Sequence, residues 1–124
     1  MRTKTLGDIG ERIAENYLKQ KDYKILDKNF RYSKLGEIDI VAQKGAGVVF
    51  IEVKTRKKKH VSDFMPEDSI TRDKQKKLIK LSQIYLSKHK LFDRSWQIDV
   101  LAVEIYRDNT SDIRHLENAV GDFW

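Results

Sequence analysis

Between residues 6 and 18 the apolar positions Leu6, Ile9, Ile13, Ala14, Tyr17 and Leu18 recur at helical spacing and predict an amphipathic helix. Thr5 with Asp8 three residues later makes a capping-box pattern at its start, with Asp where Glu or Gln is usual. Gly7 and Gly10 each cost about 1 kcal/mol against alanine in a helix interior. On a helical wheel Gly7 and Ala14 share a flank with Leu18, and Glu11 lies at its edge. The small residues predict close approach to a sheet beside Glu11, which taken alone reads as a surface glutamate.

The period then shortens. Residues 23–31 read as a strand ending at a turn over 32–36, and "GEIDIVAQKGAGVVFIEVKTR", residues 36–56, predicts two strands joined by a glycine-flanked turn. Residues 57–69, "KKKHVSDFMPEDS", are charged and hold the single proline, so a loop is expected. A second helix is predicted from about 72 to 89, with Thr71 as N-cap and Leu78, Leu81, Tyr85 and Leu86 on its buried face. "QIDVLAVEIY", residues 97–106, is a further strand, and the tail "RHLENAVGDFW" offers a short one. The order α-β-β-β-α-β predicts an α/β fold, a mixed sheet flanked by helices, in one domain spanning residues 1–124.

Side-chain alternation makes the hairpin chemically informative. Phe50, Glu52, Lys54 and Arg56 point one way, and Val49, Ile51, Val53 and Thr55 the other. In the preceding strand Glu37 and Asp39 share a face opposite Ile38, Ile40 and Ala42. One face is expected to be wholly apolar under a helix, while the other gathers Glu37, Asp39, Glu52 and Lys54. With Gln43 facing Val48 across the turn, Asp39 stands opposite Glu52 and Glu37 opposite Lys54, Cβ atoms about 5 Å apart. Glu37 with Lys54 is favourable. Asp39 with Glu52 is not, and the pair must share a proton or bind a cation. Oxygen ligands at that spacing suit Mg²⁺ or Mn²⁺. A lysine two residues on could orient an attacking water and stabilise charge growing on a phosphate. The plain alternative is the solvated face of an antiparallel hairpin.

Composition narrows the field. There is no cysteine, hence no disulfide and no thiolate zinc site, and His60, His89 and His115 lack metal-ligand spacing, so a metal would be held by oxygen. The start, Met1-Arg2-Thr3-Lys4, leads into a polar helix, and no run approaches the ~20 apolar residues of a membrane span; a soluble cytoplasmic protein is expected. Net charge is +6, with a pI near 9.5. The excess base lies in Lys54, Arg56, Lys57, Lys58 and Lys59, then in Arg72, Lys74, Lys76, Lys77 and Lys80. This favours a polyanionic partner, nucleic acid before membrane, beside the simpler reading of a solvated surface. Arg72, Lys76 and Lys80 face outward on the second helix. Lys74 and Gln75 share the side of Leu78 and Leu86 and would point toward the sheet from a helix N-terminus suited to phosphate, unless the lysine of a frayed first turn snorkels to water.

Asp39 followed after a turn by Glu52-Val53-Lys54 resembles the D…(E/D)-x-K signature of the PD-(D/E)XK nuclease superfamily. "GDIGERIAENYL", "YKILDKNFR", "GEIDIVA", "VVFIEVKTR", "ITRDKQKKL" and "IDVLAV" resemble its YraN-like branch, itself similar to archaeal Holliday-junction resolvases. The resemblance implies a restriction-endonuclease-like fold. Asp39, Glu52, the carbonyl of Val53 and Glu11 would be metal ligands, and Lys54 the catalytic lysine; Lys74 and Gln75 match a basic or glutamine position in the helix that follows. Ile38 stands where the superfamily has proline, Asp22 where glycine is usual, and Gln97 where a base is usual.

A Mg²⁺-dependent endonuclease on DNA, with a preference for branched structure, is therefore the expected function. Arg56, Lys57, Lys58, Lys59, Arg72, Lys74, Gln75 and Lys76 would engage the nucleic acid, with Glu37 in support. A four-way junction has two-fold symmetry, so a homodimer would suit it. Two alternatives remain: a non-catalytic nucleic-acid-binding module of a repair or processing complex, and an RNA-processing nuclease.

Overall fold

The computed structural model describes residues 4–58 and 65–120. Helix α1 (Leu6–Gln20) is followed by strands β1 (Lys24–Arg31), β2 (Glu37–Lys44) and β3 (Gly47–Lys57). A 3₁₀ turn (Pro66–Ser69) leads into helix α2 (Arg72–Lys88), and strands β4 (Trp96–Ile105) and β5 (Ser111–Leu116) complete the order. The Thr5–Asp8 capping box forms in both directions, and the Thr71 side chain caps α2 through Lys74 N–H. The predicted loop thus holds a 3₁₀ turn. The last strand begins at Ser111 and takes in only the start of the tail, 114–116, making the order α-β-β-β-α-β-β. Among the described residues no helix is long and apolar enough to cross a membrane.

The strands lie in the order β1-β2-β3-β4-β5. Neighbours are antiparallel except β3 and β4, which run parallel with α2 in the crossover between them. Gln43 faces Val48, the register the turn predicts, with Gly45 at φ +59 in a two-residue loop.

Both faces of the sheet are apolar, which corrects the expectation of a single one. Ala14 and Leu18 of α1 pack on Ile40, Ala42, Val49, Ile51, Val53 and Leu101. Leu78, Leu81, Tyr85 and Leu86 of α2 pack on Ile38, Val41, Val48, Phe50 and Ile98. Ile38 and Ile40 fall in different clusters although two residues apart, so strict alternation fails in β2 between them, at Asp39.

The close approach of α1 is made at Gly10 and not Gly7. Gly10, Ala14 and Leu18 are its buried residues. A Cβ on Gly10 would stand 1.7 Å from Thr55 Oγ1, whereas one on Gly7 would meet only Thr5 Oγ1, at 3.7 Å. That contact sets Glu11 beside the C-terminal half of β3. Asp22 has φ +67, a left-handed conformation that aspartate tolerates better than most residues.

Candidate metal centre

Strands β2 and β3 pair from Lys44–Gly47 back to Ile40–Ile51 and then part. In the opening, Asp39 Oδ2 accepts the Val53 backbone N–H at 2.7 Å, so a side chain takes the place of a main-chain acceptor. In an extended strand a residue's N–H and C=O point to the same edge, so the Val53 carbonyl also opens toward this gap. Asp39 is buried, with 9% exposure. Burial first, and then the hydrogen-bonded, like-charged Glu52, push its carboxyl from 3.8 up to about 9, against the pull of the Val53 N–H. The two acids meet, but beyond the paired register, which ends at Ile40–Ile51, and not as directly opposed ladder partners.

Glu11 from α1 and Glu37 from β2 stand by the same carboxyl. Glu11, Glu37 and Asp39 each offer an oxygen within 4.8 Å of the others. Burial raises the Glu11 carboxyl; a hydrogen bond from Asn29 opposes this, and the charges of Asp39 and Glu37 add to the rise. The expected Glu37–Lys54 pair is absent. Glu37 is held by Arg31, whose Nε and Nη2 lie 2.7 and 2.6 Å from Oε2, and by Asn29 Nδ2 at 2.7 Å from Oε1. Lys54 Nζ instead lies 3.9 Å from Glu52 Oε1. Arg31 wins because it is the neighbour of Glu37 in the paired register of β1, while the β2–β3 ladder has already ended.

A cavity of about 180 Å³ opens on the α2 side of these acids, with Glu37, Glu52, Lys54, Lys74 and Lys77 around Leu35, Leu78 and Leu81. Lys74 lines the cavity but is exposed, with its Nζ 3.5 Å from the Ser69 carbonyl, so it does not turn into the sheet as its helical position predicts. Gln75 does not line this cavity; it is half-buried, with its amide on the Ile70 carbonyl at 3.4 Å. Lys77 does, one helical turn from Lys74, although the sequence pattern marks it only as one of the clustered bases. Lys57, Arg72 and Lys76 are exposed, and Lys59 lies outside the described residues. Arg56 and Lys58 are engaged with buried Glu104 of β4, at 3.6 and 3.5 Å, and Arg114 joins Glu104 to Glu67 of the 3₁₀ turn. This network ties β3, β4 and β5 to the segment that enters α2.

A second set includes a nitrogen ligand, which the histidine spacing had not suggested: Asp99, His115 and Glu117 also offer atoms within 4.8 Å of one another. There Asp99, fully buried, already accepts from His115, Gln97 and the Asn118 N–H, and His115 Nδ1 meets the Tyr17 hydroxyl. Gln97 is thus a hydrogen-bond donor to Asp99. These contacts explain the second set as internal structure. The first set differs, because its carboxyls crowd one another. Oxygen donors alone, converging from α1 and β2 on the buried Asp39, with Glu52 of β3 beside it, fit a hard divalent cation.

The family model of the uncharacterised protein family UPF0102 matches residues 10–103. The chain belongs to that family. Relatives include a UPF0102 protein of Caldanaerobacter subterraneus subsp. tengcongensis, 36% identical over 118 residues and 94% of each chain. One from Alkaliphilus metalliredigens is 37% identical, covering 94% of this chain and 98% of its own. One from Geotalea uraniireducens is 40% identical, covering 94% and 89%. The matched segment of this chain contains Glu11, Asn29, Asp39, Glu52, Lys54 and Lys74. Among solved structures, Pyrococcus furiosus SfsA in complex with Ca²⁺ overlaps with a TM-score of 0.42 and 17% identity, over 90% of this chain and 62% of that one. That overlap is too loose to carry function across.

Proposed function

We propose that this chain is a Mg²⁺-dependent endonuclease that hydrolyses DNA phosphodiesters, with branched DNA as its preferred substrate. The observation that supports it most is the meeting of Asp39 and Glu52 where β2 and β3 part, with Lys54 3.9 Å from Glu52. Asp39, Glu52, Glu11 and the Val53 carbonyl would hold the cation, which when bound supplies Lewis acidity toward a phosphate oxygen and acidifies water.

The chain's own groups do the rest. Lys54, on the cavity wall, hydrogen-bonds the attacking water or a non-bridging phosphate oxygen and meets the negative charge that grows there. Lys74 and Lys77, on the opposite wall, draw the backbone in and fix its position. Leu35, Leu78 and Leu81 form an apolar floor that lowers the local dielectric and strengthens those attractions. Arg31 neutralises Glu37, so the acids do not repel the approaching phosphate as strongly as their number suggests.

The test is cleavage of linear, flapped and four-way DNA with Mg²⁺ and with Mn²⁺, beside Asp39→Asn, Glu52→Gln and Lys54→Ala. Cutting by the parent and its loss in all three variants is the expected result. No cutting of any substrate under either metal, with salt-sensitive DNA binding kept, would leave a binding module in its place. Preference for matched RNA would redirect the reading to RNA processing.

A further inference from the structure

We propose that Asn29 is a positioning residue of the acidic site, its side-chain amide holding Glu11 and Glu37 in the arrangement in which they meet Asp39. The inference rests on reading this site as a divalent-cation centre.

The hydrogen bonds come first. Asn29 Nδ2 lies 3.1 Å from Glu11 Oε1 and 2.7 Å from Glu37 Oε1. An amide nitrogen carries two hydrogens, so each carboxylate takes one. Two like charges from different elements, a helix and a strand, are thereby tied through one neutral group. Their mutual repulsion would otherwise swing Glu11 toward water. Arg31 already occupies Glu37 Oε2, so Glu37 is fixed from both sides and Asn29 passes that order on to Glu11.

The backbone points the same way. Asn29 has φ +55 inside a β-strand, a left-handed conformation that an ordinary L residue avoids and asparagine tolerates. The pairs Lys28–Ile40 and Phe30–Ile38 bracket it, which sets it across from Asp39. Such a local break re-aims a side chain in the way a bulge does. Asparagine is depleted in strands, and this one is exposed, so packing gives no reason for it here. Groups that hydrogen-bond metal-ligating carboxylates commonly set the geometry of the ligands themselves.

Glycine at this position keeps the φ without strain and deletes only the amide. Asn29→Gly should therefore keep the parent's urea midpoint while Mn²⁺ affinity, by calorimetry, falls about tenfold, the lower end for such outer partners. In a Glu11→Gln background the same substitution should cost much less, because no charged Glu11 is left to hold. Equal Mn²⁺ affinity of Asn29→Gly and parent, with Asp39→Asn abolishing binding, would overturn the role of Asn29 and leave the metal centre standing. An equal loss with and without Glu11→Gln would overturn it as well. If the parent takes up no Mn²⁺, the metal centre fails and the role of Asn29 fails with it.

Discussion

The carboxylate of Asp39 accepts the Val53 N–H at 2.7 Å, so the acid nearest the centre of the site is built into the hydrogen bonding of the sheet. Its position is fixed by strand β3, the same strand that carries Glu52 and Lys54. Ligand and lysine cannot drift apart without breaking that bond.

A proton held on Asp39 makes stability fall with rising pH. The unfolded chain releases this proton near 3.8, the folded chain near 9. The group's contribution is complete below 3.8 and is lost as the pH rises through about 9, at a slope of at most about 1.4 kcal/mol per unit in between. Urea midpoints of the metal-free protein at pH 5 and pH 8 should differ in that direction, and Asp39→Asn should flatten the difference. A parent and variant with the same pH dependence would contradict the buried acid pair.

Cation binding should expel that proton. Calorimetry of Mn²⁺ at pH 7 in buffers of different ionisation heat should report close to one proton released per ion, and affinity should rise with pH up to about 9. Asp39→Asn removes the proton and the ligand at once, so both signals should disappear.

Lys74 and Lys77 should act on binding and Lys54 on rate. Alanine at either of the first two should weaken DNA binding for all sequences and lower the slope of log K against log salt by roughly one each. Lys54→Ala should reduce cleavage by about 10²-fold or more with a smaller change in binding. Equal effects of all three on affinity alone would remove Lys54 from the chemistry.

Gly10→Ala offers a contest between two known terms. Helix propensity favours alanine by about 1 kcal/mol, but the added Cβ would stand 1.7 Å from Thr55 Oγ1. Overpacking of that kind costs about 1–3 kcal/mol, so the net effect should be destabilising in a urea titration. A more stable Gly10→Ala protein would disprove the close contact.

Much of this was legible in the chain. The glycine turn fixes the β2–β3 register as far as Ile40–Ile51, next to the place where Asp39 and Glu52 meet, and helical spacing brings Lys74 to the rim of the cavity. What escaped needed facts outside one strand pair. Arg31 reaches Glu37 through the pairing of β1 with β2, whose bulge between Ile25 and Asp27 shifts the register where alternation gives no sign of it. Glu104, which engages Arg56 and Lys58, comes from a strand reached only after a helical crossover. Strand β5 extends ahead of the tail segment to Ser111 and Asp112, which are exposed and carry no apolar rhythm to mark them. Gly7 and Gly10 are equally good on composition. Only the packed helix shows which one meets the sheet.

With no side chain interposed between Gly10 and Thr55, helix α1 cannot roll on the sheet without dragging β3 along. Glu11 and Lys54 are the adjacent residues on those two backbones. Their spacing is thereby set like that of two jaws on a shared pivot, fixed before any cargo arrives.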